Sequence, residues 1–178
     1  MLEAAMPSLK PTALVHLAAQ RAMVSLSAFK GQSAALGQAL GVALPATARR
    51  IRHHGADYFW AGPGSWLVVS ENPALFDELS AVAAPFAAMT DQSDGHCILR
   101  VSGPQARAIL AKLVPIDLHE TAFAPDAVAL TLAAHIGVKL WQEDDGAFAL
   151  ACFRSFAGAL HHALLEAAAE FEASPDRG

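Results

Sequence analysis

The stretch "DQSDGHCILRVSGPQARAIL", Asp91 to Leu110, sets two aspartates, two serines, a histidine and a cysteine beside an arginine. Such an inventory suits a thiolate nucleophile, a metal site or a ligand clamp. A nucleophilic Cys97 would need a base such as His96 within reach and an accessible, electropositive setting. "HCILRVS" reads as a strand, and adjacent strand residues face opposite sides of a sheet. Cys97, Leu99 and Val101 then share one face, and His96, Ile98 and Arg100 the other, which disfavours a Cys97–His96 pair. Cys97 is expected in the core as a small apolar residue, as is Cys152, which alternates with Phe148 and Leu150. Asp94-Gly95 is turn chemistry and predicts a hairpin into this strand. Ser102 and Gln105 fit an S-x-x-Q capping box, with Pro104 in the first helical turn. The stretch reads as architecture, with Asp91 and Ser93 tying the preceding strand to the turn.

Other chemistry-bearing residues are more scattered. His53-His54 and His161-His162 are sequence neighbours that lack the i,i+4 spacing of a helical zinc site, and no Cys-x-x-Cys accompanies them. "ARRIRHHGAD" is a basic loop in an acidic chain: a solvated loop, or a docking or anion contact. Trp60 and Trp66 flank Gly62-Pro63-Gly64, where aromatics cover a sheet end or anchor an interface. Arg100 and Arg154 are candidates for polar contacts across a subunit boundary. The competing assignment for both is an intramolecular salt bridge, with Asp91 or Asp94 as the partner for Arg100. No GxGxxG, P-loop or GxSxG occurs, so the sequence lacks the usual signatures for phosphate cradling and for a nucleophile elbow.

The elements that would position these residues recur in two series. "RAMVSLSAF" reads as a strand, "GQSAALGQALG" as a short helix stopped by Gly41, and "VALPATARRIRHHGAD" as a loop. "YFWAGPGSWLVVS" reads as two strands, and "ENPALFDELSAVAA" as a helix with Asn72 at its N-cap. The order then repeats: strand "HCILRVS", helix "GPQARAILAKLV", loop "PIDLHETAFAPDA". Strands "VALTLAAHIGVKLWQ" and "AFALACF" follow around Asp145-Gly146, then helix "SFAGALHHALLEAAAEF". The prediction is an α+β fold of two β-α-β-β-α halves with mostly antiparallel sheet. One domain is expected over 1–171, with halves at about 20–86 and 87–171, and a tail at 172–178.

At 178 residues the chain can bury a sizeable core. Hydrophobic residues make up 54% and charged ones 16%, against averages of about 45–50% and 25%. The surplus is largely alanine; it implies either a face covered by a partner or an alanine-rich composition with ordinary burial. The formal charge of −5 and the lack of a broad basic face argue against nucleic acid. No apolar run reaches the roughly 18 residues of a membrane span, and the start lacks a secretory pattern. Two cysteines make no disulfide framework, so a reduced, cytoplasmic setting is expected.

Three segments in order carry a resemblance: "FWAGPGSWLVVS", "DQSDGHCILRVSGPQARAILAKLVPIDLH" and "CFRSFAGALHHALLEAAAEF". From about Ala22 to Phe171 they resemble the gamma-subunit family of heterotetrameric sarcosine oxidases. The wider resemblance is to the folate-binding aminomethyltransferases (glycine-cleavage T-proteins). Asp91, Ser93, Ser102, Gly103 and Pro104 match that wider pattern. Pro115, Asp117, Leu118 and His119 match the gamma-type loop, and Arg154, Ser155 and Phe156 the start of the last helix. Gln92 stands where an aliphatic residue is expected, and His96-Cys97 where Arg-Thr is more usual.

The resemblance implies a fold like the folate-binding domain of aminomethyltransferase. It also implies a non-catalytic gamma subunit in a complex that oxidatively demethylates sarcosine, in sarcosine catabolism and tetrahydrofolate-linked one-carbon metabolism. FAD, FMN, NAD, zinc and tetrahydrofolate would then belong to partners: large flavin-binding alpha and beta subunits and a small delta subunit. No catalytic, cofactor or metal residue is implied on this chain. Arg100, Arg154, Trp60, Trp66 and His119 are the candidate partner or ligand contacts. The alternative is a stand-alone folate-binding module or minimal one-carbon transferase, with Arg100, Arg154 or the basic loop holding the pteridine or glutamate tail.

Overall fold

A computed structural model describes residues 9, 10 and 12–172. The chain divides into two compact units. The first comprises residues 20–96 and 126–128; the second takes up the segment before residue 20, then 97–125 and the chain from 129 onward. The tail read at 172–178 falls, beyond Glu172, outside the described residues.

In the first unit, β2 (Ala22–Ala28) leads to α1 (Ser33–Leu40), after β1 (Val15–Leu17) has gone to the second unit's sheet. Then come β3 (Arg50–His53), β4 (Ala56–Gly62), β5 (Ser65–Ser70), α2 (Leu75–Ala83) and β6 (Ala87–Asp91), in a sheet of order β3-β4-β5-β2-β6. Alternation along the strands puts Val24 and Leu26, Trp66 and Val68, and Ala56 and Tyr58 into one cluster with Leu36 of α1 and Leu75 and Leu79 of α2. The helix α1 stops where Gly41 adopts φ 66°, its N–H bonding the Gln38 carbonyl while the Val42 N–H reaches that of Gly37.

The second unit repeats the series with β7 (His96–Val101), α3 (Ala106–Ala111), β8 (Val128–Ala133), β9 (Ile136–Gln142), β10 (Phe148–Phe153), a 3-10 turn (Arg154–Phe156) and α4 (Ala157–Glu172). Its sheet has the order β1-β7-β10-β9-β8. This is the first unit's order, with β1 standing beside β7 as β6 stands beside β2. The β1 edge pairs antiparallel with β7, Val15 facing Val101 and Leu17 facing Leu99. The helix α4 packs on β1 and α3, and Leu160, Leu164 and Ala168 on its inner stripe are fully buried.

The α+β class and the mostly antiparallel sheets are those expected, and each unit's sheet has five strands where the β-α-β-β-α pattern has three. The basic loop is in part the edge strand β3. "VALTLAAHIGVKLWQ" is two strands, because Ala134 and His135 form a two-residue turn with φ of 48° and 70°. Asp94-Gly95 does turn, yet β6 and β7 on either side belong to different sheets, so no hairpin forms. The turn amides go instead to one carbonyl, Gln92 O, which accepts from Gly95 and His96.

Leu26 is inaccessible to solvent in the first unit's core. Leu26→Ala is expected to destabilise the chain by about 2–5 kcal/mol, because the cavity left cannot close fully. Urea titration followed by circular dichroism checks it.

Candidate functional site

The segment from Asp91 to Ser102 is held in place by bonds within each unit. The Asp91 carboxylate accepts from the Ser93 amide at 2.9 Å and the Ser93 hydroxyl at 2.6 Å. The Ser93 Oγ accepts from the Met23 amide at 3.0 Å, which fastens this turn to β2. Asp94 accepts from the Gln20 amide nitrogen at 3.3 Å. These contacts are the tie expected of Asp91 and Ser93.

Two expectations about this stretch are corrected. Ser102 caps no helix: its hydroxyl donates to the Ala13 carbonyl at 3.3 Å, and α3 begins after Gln105 with no side-chain cap. The chain segment leading into β1 competes for that hydroxyl and wins. Arg100 pairs with neither Asp91 nor Asp94. Its Nε lies 3.0 Å from the Glu143 carboxylate and its Nη2 2.5 Å from that of Asp145, in the β9–β10 turn. Its Nη1 also lies 3.5 Å from His16 Nε2 on β1. The hydrogen bond from Arg100 holds the Asp145 carboxyl below its usual range, helped by the Ala147 amide.

Cys97 and Cys152 are both buried, their sulphurs 3.5 Å apart between the neighbouring strands β7 and β10. Their mutual hydrogen bond pulls the Cys97 thiol down and, together with burial, pushes the Cys152 thiol up; the Arg154 charge also lowers Cys97. With 3% of its surface exposed, Cys97 offers no approach to a substrate. Arg154 itself opens the 3-10 turn after β10.

The loop that carries His119 is built locally. The Asp117 carboxylate accepts from the His119 amide at 2.8 Å, and His119 Nδ1 lies 2.8 Å from the Thr121 hydroxyl, leaving the ring exposed. The residue that anchors the loop is one the sequence gives little sign of: Arg107 of α3. Its Nη1 donates to the Leu118 carbonyl, and its guanidinium sits 5.0 Å from the centre of the Phe148 ring.

In the first unit, the arginines of the basic segment meet carboxylates. Arg52 grips Asp57 with bonds of 2.9 and 2.7 Å, and Arg49 lies 2.6 Å from Asp126. His53 and His54 stack edge to face at the β3–β4 turn, and His162 lies 3.4 Å from Glu166 one turn along α4. Among the described residues no three His, Cys, Asp or Glu side chains gather as a metal site would require.

Trp60 and Trp66 sit directly opposite each other on β4 and β5. Both line a cavity of about 590 Å³ that is also bounded by Ser33, Gly37, Gln38 and Gly41. Trp66 is fixed by its indole N–H, which donates to the Pro45 carbonyl at 2.9 Å. The cavity presents aromatic faces, one hydroxyl and one amide and no titratable side chain. It can hold a flat or apolar group, and it lacks an acid or base to act on one.

The fold defines the class. Aminomethyltransferase T of the glycine cleavage system from Bartonella henselae is similar with a TM-score of 0.63 at 15% identity, covering 85% of this chain and 45% of that one. A chain of the heterotetrameric sarcosine oxidase from Corynebacterium sp. U-96, solved with pyrrole 2-carboxylate, is similar with a TM-score of 0.80 at 32% identity, covering 91% and 86%. Residues 25–170 match the sarcosine oxidase, gamma subunit family. The sarcosine oxidase subunit gamma of Corynebacterium sp. strain U-96 is 34% identical over 79% of this chain and 71% of its own. That of strain P-1 is 32% identical over 82% and 73%. This chain belongs to the sarcosine oxidase gamma subunit family.

Arg100→Met should raise the Asp145 carboxyl part of the way back toward its ordinary range, with the Ala147 amide still holding it down. The lowered carboxyl adds stability above the unfolded-state value and loses it as pH falls through the folded one. Since Asp145 is exposed, that contribution is small. Carbon-detected NMR titration reads the shift directly.

Proposed function

We propose that the chain serves as a non-catalytic gamma subunit of a heterotetrameric sarcosine-oxidase-like complex in tetrahydrofolate-linked one-carbon metabolism. The observation that carries the reading is its likeness, along most of its length, to a chain of a heterotetrameric sarcosine oxidase. The internal pairings of the polar side chains support it. Arg49, Arg52 and Arg100 are each matched to carboxylates, and the two thiols are buried against each other. Flavins, NAD, zinc and tetrahydrofolate then belong to the companion alpha, beta and delta chains, and this chain supplies shaped surface in a cytoplasmic assembly. In the described residues no helix is long and apolar enough to cross a membrane.

The stand-alone folate module draws less support. Arg100 and the arginines of the basic segment already hold carboxylates of their own, and a ligand would have to displace them.

Tagged full-length chain, co-expressed with its companion chains, is expected to elute with them as one yellow species that oxidises sarcosine. The chain purified alone is expected to turn over no methylated amine and to give no saturable heat with tetrahydrofolate. Turnover by the isolated chain would overturn the reading, and saturable folate binding would favour the alternative.

A further inference from the structure

The two units share a sheet order, and their β3–β4 and β8–β9 hairpins turn through two residues in the same way, His54-Gly55 and Ala134-His135, all four with positive φ. Counting from these turns makes Leu130, Leu132, Gly137 and Lys139 the counterparts of Arg50, Arg52, Asp57 and Phe59. In the first unit these positions carry an ion-pair strip: Arg52 binds Asp57 at 2.7 Å, with Arg50 3.9 Å away, and Phe59 is buried. In the second unit the strip is apolar and open. Leu130 is 46% exposed and Leu132 49%.

The same face extends across the sheet. The turn sets Leu130 opposite Lys139, Lys139 lies opposite Ala151 on β10, and Phe153, two residues further on, is 57% exposed. Thus three of the exposed large apolar side chains share one sheet face. At its middle is Lys139, whose ammonium has no carboxylate within ion-pair distance among the described residues. Burial alone lowers its pKa. The strand β8 ends its sheet, and beyond Val128, whose amide already donates to the Ala48 carbonyl, residues 129–133 carry no charge or proline to deter pairing. Next to it, Leu132 also lines a cavity of about 350 Å³ with Leu113, Val114, Pro115 and His135.

We infer that this face docks a segment of a companion chain that lays apolar side chains over Leu130, Leu132 and Phe153 and sets a carboxylate against Lys139. The inference rests on the subunit reading above and names the surface through which it operates. An ammonium with no carboxylate partner among the described residues, on a face that exposes Leu130, Leu132 and Phe153, is complementary to an acidic residue flanked by apolar ones.

The test is capture of companion chains by tagged full-length protein after co-expression. Leu130→Asp combined with Leu132→Asp is expected to cut capture at least about tenfold, as is Lys139→Met, with Lys139→Arg restoring it. Val82→Asp, which alters an exposed apolar residue of α2 in the first unit, should leave capture unchanged. Should the double variant fail to fold, amide exchange decides on the unaltered protein: residues 129–133 are expected to slow within the assembly, and unchanged exchange overturns the inference. Full capture by both variants overturns the surface while leaving the subunit reading intact. Equal loss with Val82→Asp, or self-association of this chain through the same residues, also overturns it. If unaltered protein captures nothing, the subunit reading itself falls.

Discussion

Each five-stranded sheet has an apolar face that two helices must cover, and the remaining features follow from that coverage. With α1 only eight residues long, one buried leucine and a glycine stop do the work of a longer element. Val24, Leu26, Trp66 and Val68 share that face, so a one-residue slip in β2 or β5 would take its pair off the cluster together. Register is therefore fixed by burial, and the turns between strands can vary in sequence. The second unit shows this: Ala134 and His135 make a turn more often given to Asn-Gly, and the sheet tolerates it.

The polar groups follow the same logic. Arginines on or beside the sheets are not free functional groups. Arg52, with Arg50 3.9 Å away, neutralises the buried Asp57 carboxylate, and Arg100 gathers Glu143 and Asp145 into the β9–β10 turn. Arg107 holds a proline-bearing loop that has few backbone partners. In this family member the charged residues near the motifs are fasteners.

That division explains how much the sequence disclosed. Strand alternation exposed the cores of β2, β5, β7 and β10, the burial of both cysteines, and the helical stripe of α4. Three features stayed hidden for physical reasons. "RIRH" looks like a solvated loop because Asp57, five residues on, meets Arg52 only once the β3–β4 hairpin has closed. The break between β8 and β9 shows no glycine or asparagine. Ser102 fits a capping box, but the competing Ala13 carbonyl comes from the distant N-terminal segment. Pairing over such separations leaves no local mark. Trp60 and Trp66 were legible as a flanking pair, whereas the cavity they share depends on how α1 ends.

The placement of β1 has a consequence for how the chain is made. This strand comes first among the described elements, yet its hydrogen-bonding partner β7 follows all five strands of the first unit's sheet in synthesis. During translation Val15 and Leu17 must wait, unpaired, while an entire five-stranded layer forms without them. Keeping the strand to three residues with a histidine at its centre limits the hazard of that delay. It also means that a fragment starting at residue 97 would expose the edge of β7 that Val15 to Leu17 otherwise cover.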